Sequence, residues 1–294
     1  MNARMVYLHA VSPVHTGTES SIATIDQPIA REAVTGWPYI PGSGLKGVLK
    51  DACRSKIDKI DKGLLRVAFG PDPDDEEVTP SDQAGSLVFG DARLLCLAIR
   101  SLYGTFAWVT CPLAIARIRR DQEAAKLPPI HPVAATIPDT QILVADHSAV
   151  IAHTGRVYLE DLDLDAVASA ECAGVARHIA GAVFGAGQWH DWFVARLGIV
   201  NDTVFTFLSE TATEVVARIR VSDDTKTVAR GGLWYEEALP AETICASVLV
   251  ALPNAKGDPQ KLFEFVEANR TVQIGGNATV GRGIVRLSFT GGAV

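Results

Sequence analysis

The residues with chemistry to offer lie in two glycine-rich stretches and in a few isolated polar side chains near the N-terminus. Gly42-Ser43-Gly44-Leu45-Lys46-Gly47 has the letters of G-x-G-x-x-G. A dinucleotide fingerprint would need a hydrophobic strand just before it. TGWPYIP stands there instead, and its prolines do not suit a central strand. A phosphate P-loop would need Gly-Lys-Ser/Thr, but here Lys46 is followed by Gly47 and Val48. What survives is a helix N-terminus capped by Ser43, where backbone amides attract anions. Lys46, Lys50 and Arg54 then recur at four-residue steps on one helical face, either holding phosphate or forming a solvated basic face. The second stretch, IGGNATVGRGIVRL, sets Gly275, Gly276, Gly281 and Gly283 around Asn277, Thr279 and Arg282. It reads either as a phosphate nest or as a tight turn before a strand. Asp26 is a lone loop carboxylate with no basic residue nearer than Arg31, in itself a turn or capping residue. His15 is a single histidine without a paired ligand, open to acid–base work or to a structural hydrogen bond.

The elements that must position these groups belong to a chain of 294 residues, 48% hydrophobic. That length and composition support a large core. No stretch approaches the roughly 20 apolar residues of a membrane span, so no membrane partner is expected. The short apolar run at the N-terminus, broken by His9, excludes a secretory signal. Five scattered cysteines without a C-x-x-C pair predict buried thiols and a cytoplasmic location. The net charge of −7 argues at first against a nucleic-acid partner. Its distribution removes the objection. Asp72, Asp74, Asp75, Glu76, Glu77 and Asp82 crowd one proline-flanked run, predicting a mobile acidic loop near residues 71–86. Arg31, Lys46, Lys50, Arg54 and Lys56 stand against only Glu32 and Asp51.

Periodicity predicts an α+β fold. Strands are expected at Arg4 to Val11, within LVFGDARLLCLAIR and GTFAWVTC, at Thr213 to Val221, in ICASVLVAL and in GIVRLSF. Helices are expected at Gly44 to Ile57, Pro112 to Lys126, Ala166 to Val183 and Pro259 to Arg270. QILVADHSAVIAHTG reads as a hairpin. Irregular alternation of strands and helices disfavours a doubly wound parallel sheet.

The run HTG…D-x-P-I-x-R-E-x-x-T-G-x-P-Y-I-P-G-S-x-L-K-G, with the glycine loop close to the C-terminus, resembles the RAMP superfamily of CRISPR proteins. FGDARLLCLAIRSLYGTFAWVTCP (Phe89 to Pro112) and LWYEEALPAET (Leu233 to Thr243) narrow the resemblance to backbone subunits of the type III-B (Cmr) effector complex. It extends from about His15 to the C-terminus as one elaborated domain. Where a second serine is common this chain has Gly44, which changes loop stiffness and not charge. The resemblance implies an RNA-recognition-like, ferredoxin-like palm carrying finger segments and an inserted thumb hairpin, placed here near residues 215–237. It implies copies stacked head to tail along a guide RNA, other subunits of the complex, and thumbs that displace nucleotides of the guide–target duplex.

In proteins similar to this one, target-RNA cleavage depends on the aspartate of the D-x-P-I-x-R-E motif, which corresponds to Asp26. A carboxylate there could act as general base or hold a loosely bound divalent cation, Mg²⁺ or Mn²⁺. His15 falls at the matching HTG position. Glu236 or Glu237 could bring a second carboxylate from the thumb side, with Glu237 preferred. The implied RNA contacts are Arg31, Ser43, Lys46, Lys50 and Arg54, the hairpin residues Arg218, Arg220, Lys226 and Arg230, and the glycine loop. Two readings compete with a target-cutting subunit: a guide-RNA scaffold with a purely structural Asp26, and the sister type III-A backbone subunit. A guide-processing endonuclease would want grouped histidines, and the seven here are scattered.

Overall fold

The computed structural model describes residues 2–18, 25–55, 62–72, 84–134, 136–253 and 256–291. The first part of the chain comprises β1 (Asn2–Ala10), β2 (Tyr39–Ile40), α1 (Gly42–Ser55), α2 (Lys62–Phe69), β3 (Leu87–Phe89), β4 (Ala92–Arg100), β5 (Phe106–Thr110) and α3 (Pro112–Ala124). There follow β6 (Gln141–Val144), β7 (Arg156–Leu159), β8 (Leu162–Ala168), α4 (Ala170–Val183), α5 (Gln188–Val194), β9 (Leu197–Ile199) and α6 (Asp202–Thr211). The last part holds β10 (Glu214–Val221), β11 (Val228–Ala238), β12 (Ile244–Ala251), α7 (Pro259–Glu267), β13 (Thr271–Gln273) and β14 (Ile284–Thr290).

β1 is apolar on both faces, and this dictates its place. Val6, Leu8 and Ala10 enter one core while Met5 and Tyr7 enter another. Such a strand belongs inside a sheet covered on both sides. It pairs antiparallel with β12 and β14, and β12 pairs with β4. The order β14-β1-β12-β4, with α1 between β1 and β4 and α7 between β12 and β14, is the β-α-β-β-α-β palm that the resemblance implies. α1 buries Leu45, Leu49 and Cys53, and α7 buries Leu262, Phe263 and Val266, on the Val6 and Leu8 side. α3, α4 and α5 cover the other side with Ile115, Ile118, Val175, Ile179 and Phe193.

The long connection from β4 to β12 carries the rest of the fold. The sheet continues through β5, β9, β6, β8 and β7, with β5–β9 and β6–β8 parallel. β10 and β11 form a separate antiparallel hairpin spanning residues 214–238, with its loop over Ser222 to Thr227. All five cysteines are buried and in no disulfide. Among the described residues no helix is long and apolar enough to cross a membrane.

Two expectations are corrected. The helix predicted from Ala166 begins at Ala170, because Leu162 to Ala168 form β8 and Ser169 accepts the Cys172 N–H as cap. QILVADHSAVIAHTG is not a hairpin: β6 pairs parallel with β8 and antiparallel with β9. Most of the acidic run, and Lys56, lie outside the described residues.

Candidate functional site

The candidate groups converge on the root of the β10–β11 hairpin. Three chain segments meet there through isolated bridges, Val14 with Leu239, Gly17 with Ile29, and Gln27 with Glu236. Gln27 N donates to Tyr235 O at 3.0 Å, and Glu237 N donates to Gln27 O at 3.0 Å. The Asp26 loop therefore runs alongside β11 like a short extra strand. Asp26 is exposed, and its Oδ2 accepts the Tyr235 N–H at 2.8 Å. One carboxylate oxygen is thus fixed by the backbone, and the other has no bond among the described residues.

His15 is only 8% exposed, and its Nδ1 lies 2.6 Å from Glu237 O. A carbonyl can only accept, so Nδ1 carries a proton and Nε2 is the nitrogen left to exchange one. Asp26 and His15 attach to β11 two residues apart, roughly 7 Å along the strand. Close packing explains the glycine after His15 and Thr16: a Cβ at Gly17 would stand 2.7 Å from His15 Nε2. Gly275 has φ +85°, and a Cβ there would stand 2.1 Å from His15 O. The C-terminal glycine loop thus lies directly over the HTG segment, and Gly276 N donates to His15 O at 2.9 Å.

The two glutamates are committed inside the protein. Glu236 is 3% exposed. Its carboxylate accepts from Arg218 Nε at 3.1 Å and Trp234 Nε1 at 3.3 Å, with Asn277 as a further side-chain donor. Burial pushes its pKa up, but these hydrogen bonds and the Arg218 charge outweigh burial and leave it lowered. Glu237 is 2% exposed and accepts from Arg31 Nη2 at 2.5 Å, Thr213 Oγ1 at 2.8 Å and Ile29 N at 3.1 Å. Arg31 also donates to Gly36 O and Ser209 O. Arg31 is therefore not turned out toward RNA, and Glu237 presents no open carboxylate; a buried ion pair separated by 206 residues in sequence consumes both.

The basic helix divides in two. Lys50 bonds to Gly70 O, Pro71 O and Asp72, and Arg54 bonds to Asp51 and Asp72, so the first acid of the acidic run sits on this face. Asp72 is held below the usual carboxylate range chiefly by the Lys50 hydrogen bond. Lys46 has no carboxylate partner among the described residues. Burial and then the neighbouring Lys50 charge pull its pKa down, as expected of a partly desolvated cation lacking an anion. Ser43, Gly44 and Gly47 beside it are exposed, and nothing stands within 4 Å of where a Cβ would be at either glycine. A phosphate backbone can approach this surface closely.

In the glycine loop, the successive N–H groups of Asn277, Ala278 and Thr279 make no bond within the described residues. Asn277 is left-handed at φ +64°. Consecutive free amides next to a left-handed residue form an anion-holding concavity. Arg282 is only 7% exposed with its Nη1 unpartnered, so it lies beneath the loop and not on its rim. On the hairpin Arg220 and Arg230 are exposed and have no partner among the described residues, Lys226 lies 3.8 Å from Asp223, and Arg218 is turned to Glu236. The opposite face of the hairpin exposes Val215, Ile219, Leu233 and Tyr235.

A divalent cation would find an exposed carboxylate here, that of Asp26. Among the described residues no group of three or more His, Cys, Asp or Glu side chains could enclose a metal. The fit is to an ion that takes most of its ligands from phosphate and water, as Mg²⁺ commonly does.

The comparisons bear on the family and the fold. The model of the RAMP superfamily matches residues 7–286. The CRISPR system Cmr endoribonuclease Cmr4 of Pyrococcus furiosus is 35% identical over 98% of this chain and 96% of its own length. The CRISPR system CMR subunit Cmr4 of Saccharolobus solfataricus is 22% identical over 96% of this chain and 95% of its own. The crystal structure of oligomeric Cmr4 from Pyrococcus furiosus has a TM-score of 0.77 at 28% identity, covering both chains in full. A chain of the type III-B Cmr-beta complex bound to cognate target RNA shares the fold, with a TM-score of 0.75 at 23% identity over 98% of this chain and 97% of that one. The palm, the hairpin root and a match along almost the whole sequence lead to one assignment: the chain belongs to the RAMP superfamily.

Proposed function

We propose that this chain is the RNA-binding backbone subunit of a type III-B CRISPR effector complex, and that inside the complex it cuts target RNA complementary to the guide. The observation that carries the reading is the presentation of Asp26. It is an exposed carboxylate fixed by one backbone amide at the root of a hairpin with exposed arginines. Its partners are then guide RNA, target RNA, further copies of itself and other subunits of the complex, in the cytoplasm. A head-to-tail contact between copies does not close, so it suits extension along a guide.

Cutting follows from position and charge. Lys46, the α1 N-terminus and the free amides of Asn277 to Thr279 hold phosphates, which fixes register without reading sequence. The hairpin displaces target nucleotides, freeing the backbone for the in-line attack that A-form stacking prevents. Asp26 takes the proton of the attacking 2′-hydroxyl as its oxygen bonds to phosphorus; the P–O5′ bond breaks, and the departing 5′-oxygen takes a proton carried on His15 Nε2, the ring nitrogen not bonded to Glu237 O. Asp26 would hold Mg²⁺ or Mn²⁺, which neutralises phosphate charge when bound. The reading is tested by reconstituting the complex with guide RNA and following target cutting and target binding for Asp26→Asn. Loss of cutting with binding retained supports it. Full cutting would favour the scaffold reading, in which the Tyr235 bond is Asp26's whole task.

A further inference from the structure

We propose that Glu237 is a positioning residue, whose buried carboxylate and backbone clamp the Asp26 loop and His15 to the hairpin root without joining the chemistry. The inference rests on the RNA-cutting reading above. Five hydrogen bonds radiate from this one residue. Its Oε1 accepts from Arg31 Nη2 and Thr213 Oγ1, and its Oε2 accepts from Ile29 N. Its backbone N donates to Gln27 O, and its backbone O accepts from His15 Nδ1. Arg31 is in turn anchored to Ser209 O in α6. Four separate pieces therefore meet at Glu237: the HTG segment, the Asp26 loop, the end of α6 and β11.

Burial argues against the alternative. Three protein donors occupy the two oxygens and the residue is 2% exposed, so a cation or a ribose hydroxyl has no open path to the carboxylate. The clamp also explains how an exposed loop keeps Asp26 in register. Gln27 and Ile29, one and three residues on, are both held by Glu237. Misplacement of a reacting group by about 1 Å can cost about 10²-fold in rate.

The test uses Glu237→Gln, which keeps side-chain shape and removes the charge. In the complex reconstituted with guide RNA, single-turnover cutting at saturating target RNA is expected to fall about 10²-fold. Target affinity, the pH profile of the residual rate and the Mn²⁺ concentration for half-maximal rate should stay as in the parent. Amide exchange of a peptide covering residues 25–31 should quicken in the free chain, since Ile29 N–H loses its acceptor. A shifted pH profile or Mn²⁺ requirement would make Glu237 a reacting group and overturn the proposal. So would unchanged exchange at 25–31. If Glu237→Gln fails to assemble, Thr213→Val removes one donor without stranding a charge. It should reproduce the pattern at several-fold, and an unchanged rate and exchange there overturns the proposal equally. Asp26→Asn in the same assay separates the two claims: full cutting by that variant refutes the role of Asp26, while the exchange result still decides the clamp.

Discussion

Asp26→Asn is the most discriminating perturbation because the structure separates what the side chain holds from what it offers. Its Oδ2 accepts one backbone N–H, from Tyr235 at 2.8 Å, and no other donor reaches it among the described residues. The amide oxygen of asparagine can accept the same bond. What is lost is charge assistance at an exposed site, about 1 kcal/mol or less. The loop also keeps its backbone ties through Gln27 and Ile29. Fold, assembly and target affinity should therefore match the parent closely. The other oxygen loses its ability to take a proton or hold a cation, and general acid–base catalysis is commonly worth about 10²- to 10⁴-fold. The assay is gel-resolved cutting of end-labelled target RNA by the reconstituted complex under single-turnover conditions, with filter binding in parallel and a chelated control. Cutting within about threefold of the parent, about 0.7 kcal/mol, would refute the assignment. Binding and cutting lost together would make Asp26 a structural residue.

Charge on α1 should be felt unequally. Lys46→Ala should flatten the log-affinity versus log-salt slope for guide RNA by about 0.7, whereas Lys50→Ala should do less because Asp72 already neutralises it. Asp72→Asn should tighten binding, read by fluorescence anisotropy across a salt series. Glu236 has a folded pKa below its ordinary 4.5, so its stabilising contribution is present above that value and lost as pH falls through the folded one. The urea midpoint of the parent should exceed that of Glu236→Gln at pH 6, and the gap should shrink below about pH 4.5. Gly275→Ala forces a left-handed residue against His15 O, so at least about 1–2 kcal/mol of stability should be lost, visible as a lowered Tm.

The palm's elements were legible in the sequence, because β1 and β12 are apolar runs and α1 and α7 carry apolar stripes, while their order came only with the resemblance. The hairpin was legible too, since Glu214 to Val221 alternates and Asp223-Asp224 marks its turn. β8 was missed where Leu162, Leu164 and Ala166 alternate, because the helix that follows is richer in alanine and masks the change of period. The parallel pairing of β6 with β8 leaves no local signal, unlike a hairpin's turn. The site was half legible. Asp26, His15 and the glycine loop share a root, but Arg31 and Glu237 looked like a surface cation and a spare carboxylate. Only tertiary contact across 206 residues reveals them as one buried pair. Arg282 likewise sinks below its loop, which spacing among glycines does not disclose.

The palm's strand order also sets a timetable for making the protein. β1 finds both its neighbours near the other end of the chain, Asn2 opposite Ala251 and Met5 opposite Thr290. At ribosomal rates of about 5–20 residues per second, roughly ten seconds to a minute passes before either neighbour exists. Throughout that interval a strand apolar on both faces has bare hydrogen-bonding edges. Closing the palm is then a late, long-range event that joins the two ends of the chain and completes α1 and the glycine loop together. A nascent chain cut short anywhere before β12 would have no palm, and its first strand would be a target for chaperones.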